Sequence, residues 1–226
     1  KPLCLNLIEL DDVKAAYFKA NDIEKKSSAI LMVGFNRRFS PLTLNMKSLL
    51  SQVSSAKTVV MTINAGSIDG GHWTQDELIG GGRILGEACH FIDLIRYLVG
   101  VKITGFSAVS ANATNPHSDS VIINLQFLDG SCGVINYLTN GSKSYPKETL
   151  EVFSGGKVLR LSNFKKLEGW GWSGFKKMSL FRQDKGQKRC VQEFVKAIEN
   201  NMSSPIPAEE IFEVSEITIK VAKGIL

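Results

Sequence analysis

The stretch DSVIINLQFLDGSCGVINYLT, residues 119–139, decides the fold. Residues 119–128 and 132–139 are apolar runs of strand length, and Asp129-Gly130 between them is a tight-turn signal. Working outward, further strands are predicted at 101–111, 148–154 and 157–161, and an earlier one at Thr58–Asn64 (TVVMTIN). Helical patterns frame them at 42–53, 83–98, 187–200 and 208–223. Pro205 and Pro207 separate the last two, and Glu209 and Glu210 suit the first turn of the final helix, where negative charge meets the positive end of the dipole. Consecutive hairpin-linked strands framed by helices predict an α+β fold: a large, mostly antiparallel open β-sheet with helices on one face. Residues 163–186 mix aromatics, Gly and Lys, and read as an irregular surface or oligomer-contact segment.

The grammar before residue 37 is different. Residues 8–20 place Ile8, Val13, Ala16, Tyr17 and Ala20 at helical spacing, with Asp11 and Asp12 suited to the first turn. A polar linker, residues 24–28, leads into Ala29–Phe35 (AILMVGF), a continuous apolar run that predicts a strand covered on both faces. Helix followed by buried strand is how a doubly wound α/β domain ends. The expected division is therefore residues 1–36 as the last unit of one domain and residues 37–226 as a second. Lys1-Pro2 is not an ordinary start, so the sequence is expected to be part of a longer polypeptide.

Hydrophobic residues make up 43% of the chain and charged residues 22%, an ordinary globular composition. The net charge is +5, and the basic excess collects at Lys165, Lys166, Lys176, Lys177, Lys185, Lys188 and Arg189. No RNA- or DNA-binding module accompanies that cluster, so it reads as a solvated surface and no nucleic-acid partner is expected. Cys4, Cys89, Cys132 and Cys190 form no CxxC pair and no metal-type cluster, which predicts reduced thiols, no metal and a cytoplasmic setting. No apolar run is long enough to span a membrane, and no membrane partner is expected.

The window Gly80-Gly81-Gly82-Arg83-Ile84-Leu85-Gly86-Glu87-Ala88-Cys89-His90-Phe91-Ile92-Asp93 holds the candidate chemistry. Glu87, His90 and Asp93 recur at steps of three, and residues three apart share the face of an α-helix. An imidazole beside a carboxylate can take a proton from a substrate hydroxyl near neutral pH. Spacing leaves a second reading equally open, a buried His90 simply satisfied by Glu87. The glycines are not a dinucleotide cradle, because Leu85 stands where G-x-G-x-x-G needs its third Gly and no buried strand leads into them.

Four segments together resemble the glucose–fructose oxidoreductase / inositol dehydrogenase / rhizopine catabolism (Gfo/Idh/MocA) family. They are Lys1-Pro2-Leu3, Val33-Gly34-Phe35-Asn36-Arg37-Arg38-Phe39, the Gly-Gly-Gly…Cys-His-Phe-Ile-Asp run, and Lys147-Glu148-Thr149-Leu150-Glu151-Val152. The resemblance implies an N-terminal Rossmann domain that binds NAD or NADP, followed by an α/β substrate-binding and oligomerisation domain with an open sheet. It implies that Lys1 sits near the nicotinamide and the substrate hydroxyl, and that His90 joins it in proton transfer during hydride transfer. Lys1, Pro2 and Asn36 are the implied cofactor contacts. Members often carry Asp four residues before the histidine; this sequence has Gly86 there, with Glu87 one step later as the candidate third catalytic residue.

The loop Asp69-Gly70-Gly71-His72-Trp73-Thr74-Gln75-Asp76 offers polar groups and an aromatic face for a sugar, with His72 and Trp73 as substrate contacts. Arg83, at the helix start, could grip a carboxylate or phosphate through two parallel hydrogen bonds, and Asn36 and Arg37 lie where the two domains would meet. The predicted activity is hydride transfer between a sugar, nucleotide-sugar or cyclitol hydroxyl and a nicotinamide. The rival is a non-catalytic ligand-binding or oligomerisation module of the same fold. A homodimer or homotetramer through the open sheet face is expected, and the chain alone is expected to be inactive.

Overall fold

A computed structural model describes residues 1–21, 29–68, 71, 76, 79–110 and 120–224. The eight strands are β1 (Thr58–Asn64), β2 (Ile103–Ser110), β3 (Val121–Phe127), β4 (Cys132–Leu138), β5 (Glu148–Ser154), β6 (Lys157–Ser162), β7 (Lys166–Trp170) and β8 (Lys177–Ser179). They form one sheet in the order β2-β3-β4-β1-β5-β6-β7-β8. Strand β1 pairs parallel with β4 and antiparallel with β5, and every other pairing is antiparallel. Two meanders, β2-β3-β4 and β5-β6-β7-β8, therefore hang from a strand that precedes both in the chain.

Alternation along the strands separates the two faces. Val59, Met61 and Ile63 of β1, Ile123 and Leu125 of β3, Ile135 and Tyr137 of β4, and Leu150 and Val152 of β5 are all buried. The helices α2 (Pro41–Leu50), α3 (Cys89–Val99) and α5 (Ala208–Ala222) pack over that face, and α4 (Gln187–Glu199) packs on residues 36–39. Gly133 lets α3 lie close: a Cβ there would stand 2.9 Å from the Ile95 side chain. The opposite face is polar along much of its length, with an Arg160–Glu151 pair at 2.7 Å, but it also exposes Val109, Ile122, Phe153 and Trp170. The α+β expectation of a largely antiparallel open sheet is borne out.

Three local expectations change. Residues 163–186 are not irregular throughout, since they contain β7 and β8, which pair through Leu167 and Met178. Helix α1 (Leu7–Ala20) begins ahead of Asp11 and Asp12: Asn6 caps it by accepting from the Glu9 amide at 2.9 Å, and the Glu9 carboxylate returns to the Leu5 amide at 2.7 Å. Residues 29–35 form no strand. An apolar run becomes a strand only beside another strand that takes its backbone hydrogen bonds, and no described segment lies there to do so. Helix α1 instead packs on α5, where the Tyr17 and Phe212 rings lie edge-on at 5.7 Å and Lys14 meets Glu216 at 3.5 Å.

A short 3₁₀ turn, Asn36–Phe39, carries two buried arginines. Arg38 grips the fully buried Asp93 of α3 through Nε at 2.9 and 2.8 Å and Nη2 at 2.6 Å, and reaches Glu210 of α5 through Nη1 at 2.5 Å. Burial opposes the Arg38 charge, but Asp93 and Glu210 outweigh it and hold the guanidinium firmly protonated. Removing one partner of such a buried pair strands the other charge. Asp93→Ala should cost about 3–5 kcal/mol in urea unfolding, and adding Arg38→Met to it should recover much of that loss; two variants of equal stability would refute the coupling.

Candidate active site

Gly81 and Gly82 enter the site helix at positive φ, and a Cβ on Gly81 would collide with Leu85 and Leu5 at 2.8 and 2.9 Å. The first turn of this helix is not α. Residues Ile84–Ala88 form a π-turn before α3 begins at Cys89. A wide turn breaks the three-residue face rule between Glu87 and His90, while Asp93, in the regular helix beyond them, is taken up by Arg38. Glu87 turns to Tyr137 of β4, whose hydroxyl donates to Oε2 at 2.8 Å, and to Arg83, whose Nε donates to Oε1 at 3.1 Å. Burial alone would raise the Glu87 pKa, but Arg83 and Tyr137 outweigh it and hold the carboxyl below its usual range.

Arg83 is almost completely buried and is occupied by the protein itself. Besides Glu87 it donates to the Gly66 carbonyl at 2.7 Å and stacks over the Tyr137 ring. It clamps the end of β1 to the helix start and leaves no open fork for a substrate anion. Its predicted substrate grip is thereby replaced by a positioning role.

His90 is 7% exposed and lies edge-on to Phe35, with ring centroids 6.2 Å apart. Among the described residues its Nδ1 has no hydrogen-bond partner, so the reading in which Glu87 satisfies it does not hold for that atom. Burial, then Arg37, then Lys1, with Lys185 adding to them, hold the His90 pKa well below that of a free imidazole. The ring is neutral at pH 7. The Lys1 ammonium hydrogen-bonds the Gly86 carbonyl, in the turn directly before His90. Gly86 has open space where a Cβ would project.

On the sheet side, Arg37 meets Glu148 of β5 at 2.8 Å and lies over the Phe91 ring at 4.7 Å. Lys185 meets the same Glu148 oxygen at 3.0 Å, and the Asn36 amide donates to the Lys185 carbonyl at 2.7 Å. Burial would raise the Glu148 pKa, but Arg37 and Lys185 outweigh it and keep the carboxyl below its ordinary value.

Of the residues predicted from sequence, Lys1, Asn36, Arg37 and His90 gather around one end of α3, with Pro2 carried beside Lys1 in the chain. Glu87 and Arg83 form a separate pair against Tyr137. His72 and Trp73 lie outside the described residues. The sequence reading missed Glu148 and Lys185, although Glu148 opens the Lys147–Val152 resemblance and Lys185 belongs to the basic cluster. Nothing in the sequence marked Tyr137. Among the described residues no cluster of His, Cys, Asp and Glu could hold a metal.

Other features of interest lie away from His90. A cavity of about 730 Å³ sits between β2 and α5, bordered by Arg96, Phe106, Phe212 and Glu213. Gly169-Trp170-Gly171-Trp172-Ser173-Gly174 is formally G-x-G-x-x-G, but it links β7 to β8 rather than a strand to a helix. No helix N-terminus stands behind it to receive a phosphate.

Residues 52–156 match the family model for the GFO/IDH/MocA C-terminal domain. Myo-inositol 2-dehydrogenase of Thermotoga maritima is 28% identical over 167 residues, covering 70% of this chain and 47% of that protein. An uncharacterized oxidoreductase of Bacillus subtilis, YrbE, is 26% identical over 159 residues, covering 68% of this chain and 44% of its own length. The chain thus spans about half the length of these relatives. Among solved structures, an oxidoreductase domain protein from Kribbella flavida superposes with TM-score 0.82 at 17% identity, covering 100% of this chain and 71% of that one. Levoglucosan dehydrogenase in complex with NADH superposes with TM-score 0.76 at 18% identity, covering 100% and 70%.

The neutral, buried state of His90 has a consequence for stability. Its folded pKa is depressed, so below about 6.5 the unfolded chain binds a proton there that the folded chain does not. Stability falls as pH is lowered, by at most about 1 kcal/mol between pH 6.5 and 5.5 for this residue. Urea unfolding at both pH values checks this: His90→Gln should lose that increment of pH dependence, and an unchanged slope would mean that His90 titrates normally.

Proposed function

We propose that this chain, whose residues 52–156 match the GFO/IDH/MocA C-terminal domain, is the substrate-side part of an NAD- or NADP-dependent dehydrogenase acting on a hydroxyl of a sugar, nucleotide-sugar or cyclitol. Residues 1–36 then belong with the dinucleotide-binding part, and residues 37–226 bind substrate. The observation that carries this reading is a neutral, nine-tenths buried His90 with an unpartnered ring nitrogen, next to the turn that holds the Lys1 ammonium.

That orphaned nitrogen, and the open space above Gly34, fit a planar ring arriving beside Lys1. Lys1, Pro2 and Asn36 would border the nicotinamide, which when bound supplies the hydride acceptor. The protein's own residues handle the proton. Nδ1 is enclosed by the protein, so a substrate hydroxyl would donate to the imidazole through its other nitrogen, Nε2. Burial and the neighbouring cations keep the imidazole unprotonated and ready to accept. Lys1 offers positive charge where the hydroxyl oxygen becomes negative. Glu87 is too committed to Tyr137 and Arg83 to act as the relay, and we assign it to holding the helix start.

One observation favours the rival, a ligand-binding or oligomerisation module without catalysis: no described carboxylate hydrogen-bonds His90 Nδ1 to orient the ring. Activity separates the two. In the polypeptide that joins this chain to a dinucleotide-binding domain, His90→Ala should lower turnover by roughly 10²–10⁴-fold with little change in nicotinamide-dinucleotide affinity. Near-normal turnover would remove the catalytic assignment, and absence of nicotinamide reduction by the unmodified polypeptide with any polyol would favour the module. The chain alone should not reduce the dinucleotide.

Assembly follows from the uncovered sheet face. Val109, Ile122, Phe153 and Trp170 support burial against a second copy, giving a homodimer or homotetramer. Four unpaired cysteines fit a cytoplasmic location, and no described helix is long and apolar enough to cross a membrane. Light scattering at micromolar concentration should show a dimer or larger, and Phe153→Glu should shift it toward monomer; a monomeric parent chain would overturn the assembly.

A further inference from the structure

The charges around His90 do not balance. Lys1, Arg37 and Lys185 all act on the imidazole, yet a single carboxylate, Glu148, serves both Arg37 and Lys185 through the same oxygen, at 2.8 and 3.0 Å. Lys1 pairs with no carboxylate among the described residues and has only the Gly86 carbonyl. The nearest acid in sequence, Glu87, is committed to Arg83 and Tyr137. Three cations and one anion thus border a neutral ring that is itself more than nine-tenths buried and unpartnered at Nδ1. Arg37 and Lys185, the less exposed of these cations, share that one carboxylate beside the Phe91 ring, so one of the two charges lacks an acid of its own.

The surplus is also reachable. The Lys185 side chain keeps 18% of its surface, and the space over Gly86 is open. Resting on the dehydrogenase reading above, we propose that the substrate carries a carboxylate, as in a sugar acid or cyclitol acid, which settles beside Lys1 and Lys185 while the reacting hydroxyl faces His90. A neutral polyol would leave the cations uncompensated. An anionic one supplies the missing charge and, by its own field, makes His90 a stronger base once bound.

The test titrates the isotope-labelled chain with sodium glucuronate and with glucose while following the His90 imidazole resonances, assigned through His90→Gln. Glucuronate should act at tenfold or more lower concentration than glucose. Its effect should weaken with added salt and should raise the His90 pKa. Gly86→Asp places a carboxylate of the protein's own over the turn and should abolish the preference. Gly86→Asn, equal in size and uncharged, should keep it. In the polypeptide with its dinucleotide-binding domain, KM should follow the same order. An equal or stronger response to glucose, with nicotinamide reduced by neutral polyols, would overturn this inference and leave the dehydrogenase reading standing. No response of His90 to either sugar, together with no nicotinamide reduction, would overturn both.

Discussion

Adjacent arginines going to opposite buried acids are the constraint on which the site depends. Arg37 reaches into the sheet to Glu148, and Arg38 reaches into the helical layer to Asp93 and Glu210. Consecutive side chains can diverge in this way only because residues 36–39 form a tight 3₁₀ turn rather than a strand or a longer helix. Each pair is costly to bury and adds little net stability over a well-packed apolar pair. What the pairs supply is register: a slip of one residue in the turn would leave two guanidinium groups without partners. With both paired, the start of α3 is held over β4, and His90 is held against Phe35.

The same arrangement determines the electrostatics. An isolated histidine next to Glu87 would be a conventional acid–base pair, with its pKa raised. Instead the π-turn at Ile84–Ala88 rotates Glu87 toward Tyr137, and the residues left facing His90 are cations. The imidazole stays neutral through burial and repulsion, and no acid among the described residues hydrogen-bonds its Nδ1. Turn geometry, more than residue identity, decides which charges surround this histidine.

Much of this was legible before the structure. Alternating apolar runs with Asp129-Gly130 between two of them specify an antiparallel meander, because one face must be buried and the turn can close only one way. The segments around Lys1, Asn36-Arg37 and His90 marked the site residues that do come together. Other features were not legible. Strand β1 inserts between β4 and β5, a pairing set by long-range packing to which local pattern is blind. Residues 29–35 have the composition of a buried strand and no strand beside them. The stretch holding β7 and β8 looked irregular because its strands are short and its glycines and lysines hide the alternation.

By itself, the sequence determined the class of fold, the positions of most elements and the resemblance to one family, because those depend on periodicity, turn chemistry and local motifs that one segment carries alone. The tertiary structure decided the roles of the polar residues. Arg83 became a clamp, Asp93 an anchor for Arg38 and Glu87 a partner of Tyr137, while Glu148 and Lys185 entered the site from far along the chain. The physical reason is that a side chain's chemistry depends on its neighbours' charge and on its exclusion from water. Both are set by which distant segments pack against it, and by a single wide helical turn that spacing in the sequence does not reveal.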